Sequence, residues 1–447
     1  MRWCKEKKYV LLILAGFSLA IEGLTLGRAP EAQAMPHHSH DDRMEAQAGW
    51  KALVDAFVIP SEPGFFLDLP HGTAGARRAA IWAQGQGILA ALDLAELSGN
   101  YATANQMLAT IDAYRYGDAY TPYPHERRQA SGKPPKRWYD DDGHVGLDLM
   151  QAFAQTGERA YLDKARSLFN FIKTGQHPEG GMLWCDESNP ASTAMSSTGS
   201  DTEFALRLYI ATQDQEYLRF AEKNYRYMQE HFLVTRQDEG LPVGAYWGQV
   251  GSVGCPTGPP PSPNGRADKH SYNQGYPIAI DVLFYRITSD TKFLANAART
   301  AAAALDYWTG DRLWQDAPAF NSIFFRELLA LDLVVPSPAY RKALDAYLDE
   351  VWKRARNPRT GLFDQGGIGH YGPVAGNYLD QASLVELFAL TQWPRQALER
   401  VTFVGRDWPP RPGASIIPMA PRTGGSDVGQ ASSLALLPAP SVSHPTY

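Results

Sequence analysis

Two kinds of apolar run alternate along the chain. One is amphipathic: Tyr161, Leu162, Ala165, Leu168, Phe169 and Ile172 recur at helical spacing, with Asp163, Lys164 and Arg166 between them. That is the pattern of a helix with one buried stripe. The other is apolar over most of its circumference, as in Val145, Leu147, Leu149, Met150 and Phe153, or Ile278, Ile280, Val282, Leu283 and Phe284. A helix apolar nearly all round is covered on both sides. Short polar turns closed by an aromatic residue join the two kinds: Ser98-Gly99-Asn100-Tyr101, Thr156 to Tyr161, Gln213 to Tyr217, Ser289 to Phe293 and Pro336 to Tyr340, with a weaker sixth at Gln392 to Gln396. The aromatic positions recur at intervals of 47 to 76 residues, the length of one helical hairpin plus a variable loop.

Six hairpins with a buried helix inside and an amphipathic helix outside predict an all-α (α/α)6 barrel, a toroid. Its inner helices start near Ala79, Asp141, Ser200, Tyr272, Asn321 and Leu379, and the run from Gly49 to Val58 adds an outer helix at the closure. An open α-solenoid would keep even spacing and short loops. Here the loops before the inner helices are long and rich in Gly, Pro, Trp and Tyr, and long loops gathered at one end of a barrel are where sites are built.

Three segments follow from the pattern: residues 1–34, the barrel over 35–404, and a Pro-, Ser- and Ala-rich tail over 405–447 that reads as disordered. Lys5, Lys7 and Lys8 precede a 13-residue apolar run from Tyr9 to Ile21, and Ala32-Gln33-Ala34 offers a small-x-small cleavage site. This reads as a secretory signal peptide, too short for the roughly 20 residues that cross a bilayer. The expectation is a secreted or periplasmic monomer with no stable membrane anchor after cleavage. His37-His38-Ser39-His40 then falls in a flexible terminus. Cys4 is removed, leaving Cys185 and Cys255 either to pair or to stay as thiols. Three cysteines exclude a disulfide scaffold or a Cys-rich zinc site. A formal charge of -6 with no basic stripe argues against nucleic acid. No metal or cofactor is expected, because no HExxH, EF-hand, P-loop or GxSxG pattern occurs.

The candidate chemistry lies in Lys136-Arg137-Trp138-Tyr139-Asp140-Asp141-Asp142-Gly143-His144. Three consecutive carboxylates precede a buried helix. Capping and dipole compensation explain one of them well and three poorly. Glycoside hydrolysis uses paired carboxyls, about 5 to 5.5 Å apart in retaining enzymes, and needs opposite tuning of the two. A carboxylate facing the free N–H groups of a first turn suits a nucleophile. One beside an anion and an aromatic wall keeps its proton. The 11 Trp and 22 Tyr supply flat, amphipathic surface for sugar rings.

Trp138-Tyr139-Asp140-Asp141-x-Gly, leading into a helix that ends Gln155-Thr156-Gly157 and then Tyr161-Leu162-x-x-Ala165, resembles glycoside hydrolase family 76. Gly180-Gly181-Met182-Leu183-Trp184, Tyr272-Asn273-Gln274-Gly275 and Asn321-Ser322-Ile323-Phe324-Phe325-Arg326 continue the resemblance in order, over roughly residues 50 to 400. It implies an (α/α)6 enzyme acting on polysaccharide or oligosaccharide, of the endo-α-1,6-mannanase kind, with relatives proposed to act as transglycosidases. On it, Asp140 matches the nucleophile and Asp141 the acid/base. The chain departs from the family at His144-Val145, where aromatics are usual, at Asn321-Ser322, and in the segment from Gly251 to Asp268. Trp138, Tyr139 and Trp184 are candidate sugar-stacking residues. Tyr272, Asn273 and Gln274 are candidates for hydroxyl binding or for capping. Asp201 reads as a helix cap, and Asp364 and His370 lie in a Gly-rich loop. Asp140, Trp184, Tyr272 and Asp364 are expected around one open end. A sugar epimerase or isomerase would need proton-shuttling histidines, for which His144 and His270 are the only candidates near inner-helix starts. A non-catalytic glycan-binding protein would not need the Asp pair.

Overall fold

A computed structural model describes residues 42–126, 132–187, 192–237, 240–251, 266–267, 269–364 and 376–404. The leader, the His37–His40 tract, Cys255, His370 and the tail lie outside the described residues.

Six helices form a closed inner ring: α2 (Ile81–Ser98), α4 (Tyr139–Thr156), α6 (Met195–Thr212), α8 (Tyr272–Thr288), α11 (Pro318–Asp332) and α13 (Tyr378–Thr391). Each packs on the next, and α13 returns to α2. Outside lie α1 (Asp42–Phe57), α3 (Ala102–Thr110), α5 (Arg159–Ile172), α7 (Gln215–Tyr227), α9 (Thr291–Tyr307) and α12 (Pro338–Glu350). The two hydrophobic patterns sort as expected. α8 is buried from Asn273 through Phe284. α5 buries only the stripe of Leu162, Ala165, Leu168, Phe169, Phe171 and Ile172.

The turns that separate the patterns are stops for the inner helices. Gly99, Gly157, Gln213 and Ser289 adopt left-handed φ of 60° to 74°. The N–H of each returns to a carbonyl four residues back, which satisfies a free end of the helix. Asp214 and Asp290 then cap α7 and α9.

Two expectations are corrected. α6 begins at Met195, not near Ser200. Its Ser- and Thr-rich start reads as a loop, but buried hydroxyls return to carbonyls one turn back, as in Ser200 to Ser196 (2.7 Å) and Thr202 to Thr198 (2.5 Å). The weak sixth turn does not lead to an outer helix over α13. That place is filled by α1, and α14 (Arg395–Thr402) lies across the end of the barrel where the inner helices finish. Arg207 donates to the Val401 carbonyl (2.8 Å), Arg400 to Glu96 (2.5 Å), and the Trp393 indole to the Asp93 carbonyl (3.0 Å).

Inside the ring, Arg326 of α11 bonds Asp93 of α2 (2.5 Å), Glu386 of α13 (2.7 Å) and Gln151 of α4 (3.0 Å). One guanidinium thus fastens four helices, because its planar fork offers donors in several directions. Around this cluster is a cavity of about 50 Å³, lined in part by His144, Asp148, Glu203, Tyr276 and Glu327. At the opposite, N-terminal end of the inner helices stands a three-stranded sheet of β3 (Thr193–Ala194), β4 (Gln249–Val250) and β5 (Arg266–Ala267), with β4 central and antiparallel to both. A two-stranded pair, β1 (Arg115–Tyr116) and β2 (Ala119–Tyr120), precedes α4. No helix among the described residues is long and apolar enough to cross a membrane.

Candidate active site

The first turn of α4 is held by a neighbouring loop. Trp138 is extended at the helix start (φ -116°, ψ 127°) and pairs with Cys185 as an isolated bridge. The Tyr139 N–H donates to the Trp184 carbonyl (3.0 Å). Arg137 and Asp186 are ion-paired (3.0 Å) beside it. Cys185 is fully buried and disulfide-bonded, and its partner lies outside the described residues. So anchored, the Trp184 indole N–H donates to Oδ2 of Asp140 at 2.7 Å. The Trp138 ring stands edge-on to Trp184, with centroids 4.8 Å apart. Oδ1 of Asp140 accepts the Asp141 backbone N–H at 3.0 Å, and Ser196 at the start of α6 also hydrogen-bonds the carboxylate.

The two adjacent carboxyls have different surroundings. Burial pushes Asp140 up to about 6, opposed by its bonds from Ser196, Trp184 and backbone N–H groups. The helix start therefore does not make Asp140 an easy anion, as the sequence suggests, because desolvation outweighs it. Asp141 is raised well above the usual carboxylate range by burial and then by the charge of Asp140. Among the described residues no hydrogen bond offsets that rise, whereas the Asp140 carboxylate has several donors. Asp142 points elsewhere. It is 1% exposed, and its Oδ1 accepts the Tyr120 N–H (2.9 Å).

The inner-helix starts also bring together an aromatic floor. Trp82 of α2 lies flat against His144 of α4 (5.5 Å, 15°) and against Phe320 of α11 (6.1 Å, 13°). Tyr272 of α8 contacts Phe320 (4.7 Å) and stacks on His270 (5.6 Å). Nε2 of His144 meets the Tyr276 hydroxyl at 3.0 Å. His270 is paired with Asp316 at 2.8 Å. Phe363, clamped at both N–H and C=O by the Gln381 amide (2.8 Å each), sets Asp364 beside the start of α13. Asp140, Trp184, Tyr272 and Asp364 are therefore all at one end.

Other expected site residues take different places. Tyr139 is a core residue, 4% exposed, stacked on Phe171 (4.7 Å) and bonded to Thr174 (3.1 Å). Gln274 is fully buried and clamps the Tyr246 backbone, accepting its N–H (2.8 Å) and donating to its C=O (2.9 Å). Its amide is taken up by the fold. Asn273 is fully buried, and neither end of its amide is hydrogen-bonded. Asp201 is not a cap. It lies within α6, wholly buried, with both oxygens unpartnered, and is raised by burial and by Asp140 and Asp142. No cluster of His, Cys, Asp or Glu among the described residues is arranged to hold a metal.

No curated protein matches the chain by sequence. Solved structures share its fold. A glycoside hydrolase family 76 mannosidase, Bt3792 of Bacteroides thetaiotaomicron VPI-5482, superposes with a TM-score of 0.63 at 22% identity, over 80% of this chain and 98% of the other. The GH76A α-1,6-mannanase of Salegentibacter sp. HEL1_6 superposes at 0.59 with 18% identity, over 78% and 98%. An inactive variant of that enzyme, with two consecutive aspartates replaced by asparagine, is in complex with α-1,6-mannotriose. The model of glycosyl hydrolase family 76 matches residues 63–371, a span that holds the Asp140-Asp141 turn, the Trp184 loop and the aromatic floor; the chain belongs to that family, and is a glycoside hydrolase.

Proposed function

We propose that this is an exported, retaining endo-α-1,6-mannanase in which Asp140 is the nucleophile and Asp141 the acid/base. The observation that carries the reading is the asymmetry of the two adjacent carboxyls. Asp140 receives three kinds of hydrogen bond that favour its anion, and Asp141 receives none. In the first step Asp141 gives its proton to the glycosidic oxygen while a carboxylate oxygen of Asp140 attacks the anomeric carbon. The bond to the leaving sugar breaks and a glycosyl ester forms. In the second step Asp141, now a base, takes a proton from water, which releases the sugar with its original configuration. The aromatic residues at the mouth offer apolar faces to the ring C–H groups, and the orphaned Asn273 amide suits a sugar hydroxyl. The inactive aspartate variants of the Salegentibacter enzyme support the same pair. The disulfide at Cys185 fits an oxidising compartment.

The test is cleavage of α-1,6-mannan by the mature protein, with the first-formed anomer read by NMR. Asp140→Ala abolishes activity on every substrate. Asp141→Ala spares the first step on an activated aryl mannoside, which needs little protonation, and lowers mannan cleavage by about 10²–10⁴-fold. An inverted product, or equal losses on both substrates for both variants, would end this assignment. N-terminal sequencing of exported protein is expected to begin near Met35, and a chain still starting at Met1 would contradict export by cleavage.

A further inference from the structure

His144 lies one turn beyond the Asp140-Asp141 pair, and its surroundings give it a defined task. It follows Asp140 and Asp141 by four and three residues on α4, so all three share a helix face. The ring is partly exposed, lies flat on Trp82 and borders the interior cavity. Nε2 is occupied by the Tyr276 hydroxyl at 3.0 Å. Nδ1 has no partner and is not among the fully enclosed unpartnered atoms, so it opens onto free space.

The hydrogen bond also sets the tautomer. Tyr276 is 1% exposed, and among the described residues His144 is its hydroxyl's one hydrogen-bond partner. Burial holds the phenol protonated and the imidazole neutral, the latter down at about 4. A buried phenol that merely accepted from Nε2 would leave its own hydrogen unpaired, so the favoured arrangement has it donate to Nε2. A neutral imidazole that accepts at Nε2 carries its hydrogen on Nδ1. The free nitrogen is therefore a donor. Around the same cavity Asp148, Glu203 and Glu327 each keep one enclosed oxygen without a partner, so the wall beside His144 is polar. A polar wall with a free ring nitrogen suits a hydroxyl better than an apolar group.

We infer that His144, oriented by Tyr276, is a specificity-determining residue whose Nδ1–H binds a hydroxyl of the sugar held against Asp140 and Asp141. The inference rests on the glycosidase reading above. A site built to hydrogen-bond a hydroxyl rejects analogues that lack it, because its buried polar group is left unpaired.

The experiment begins with wild-type kinetics on α-1,6-mannooligosaccharides. Absence of cleavage counts against the mannanase reading alone. In that case, binding of a glycan panel to wild type and His144→Phe is compared by calorimetry, and equal affinities overturn the role of His144. With cleavage, His144→Phe keeps a flat ring on Trp82 and raises KM by about tenfold or more, the effect of about 1.4 kcal/mol. It leaves the shape of the pH profile unchanged, since a neutral group is lost. His144→Asn, whose amide nitrogen lies near the position of Nδ1, keeps KM within about threefold of wild type. Across mannosides deoxygenated one position at a time, wild type discriminates against the analogue lacking one hydroxyl, and His144→Phe is indifferent to that hydroxyl. Melting temperatures of the variants check that each is folded. An unchanged KM for a folded His144→Phe, or the same deoxy-sugar profile in both proteins, overturns the inference.

Discussion

At the scale of single residues, the site turns on how one tryptophan treats one aspartate. Trp184 donates its indole N–H to Asp140, and a donor to the carboxylate favours the charged form. On the proposed mechanism Asp140, raised to about 6, sets the acid limb of kcat/KM, and Trp184→Phe, which removes that donor, moves the limb to higher pH. A pH–rate profile reads the shift. A limb that stays in place would mean that the acid limb belongs to another group. The buried cluster of Asp140, Asp141 and Asp142 was legible in the sequence because three adjacent acids before an apolar helix exceed what capping needs. Which aromatic neighbour faces the mouth was not legible. Trp138 is still extended while Tyr139 is the first residue of α4, and only the phase of α4 sends Tyr139 onto Phe171 in the outer layer. The Tyr276 partner of His144 lies 132 residues away, beyond any local pattern.

At the scale of elements, two positions without a side chain allow the inner helices to meet at the mouth. A Cβ on Gly199 would stand 2.5 Å from the Tyr276 side chain, and one on Gly143 would stand 2.3 Å from an Asp201 oxygen. Gly199→Ala must displace Tyr276 and so release its hold on His144. The expected result is a loss of about 1–3 kcal/mol in stability together with a raised KM, measured by denaturant unfolding and steady-state kinetics on one preparation. A stable variant with unchanged KM would show that the α6–α8 contact has slack. The turns make the opposite prediction. Ser289 adopts a φ of 60° at a helix end, so Ser289→Gly is expected to stabilise by roughly 0.5–1 kcal/mol, read as a higher midpoint. Helix type and order were readable because two periodicities alternate. The start of α6 was not, since buried Ser and Thr satisfy their hydroxyls on their own helix and so look, in sequence, like a loop.

At the scale of the whole molecule, stability and activity respond to pH in opposite senses. Burial raises Asp93 to about 7, and Asp281 and Glu327 to about 8, against roughly 4 in an unfolded chain. Between those values the folded barrel holds more protons than the unfolded chain, so stability is greatest on the acid side and falls as pH rises towards 8. Calorimetry is expected to give a Tm that declines from pH 5 to pH 8, with a shallower slope in Glu327→Gln. A flat or rising Tm would contradict that account. On the proposed mechanism activity needs ionised Asp140 and so rises over the lower part of the same interval. The place of α14 has a consequence for traffic. Arg207, Arg400 and Trp393 tie the described residues of that segment across the far end. On the proposed reading, a polysaccharide then approaches the carboxyls from the end where the inner helices begin, and its fragments leave by that same end.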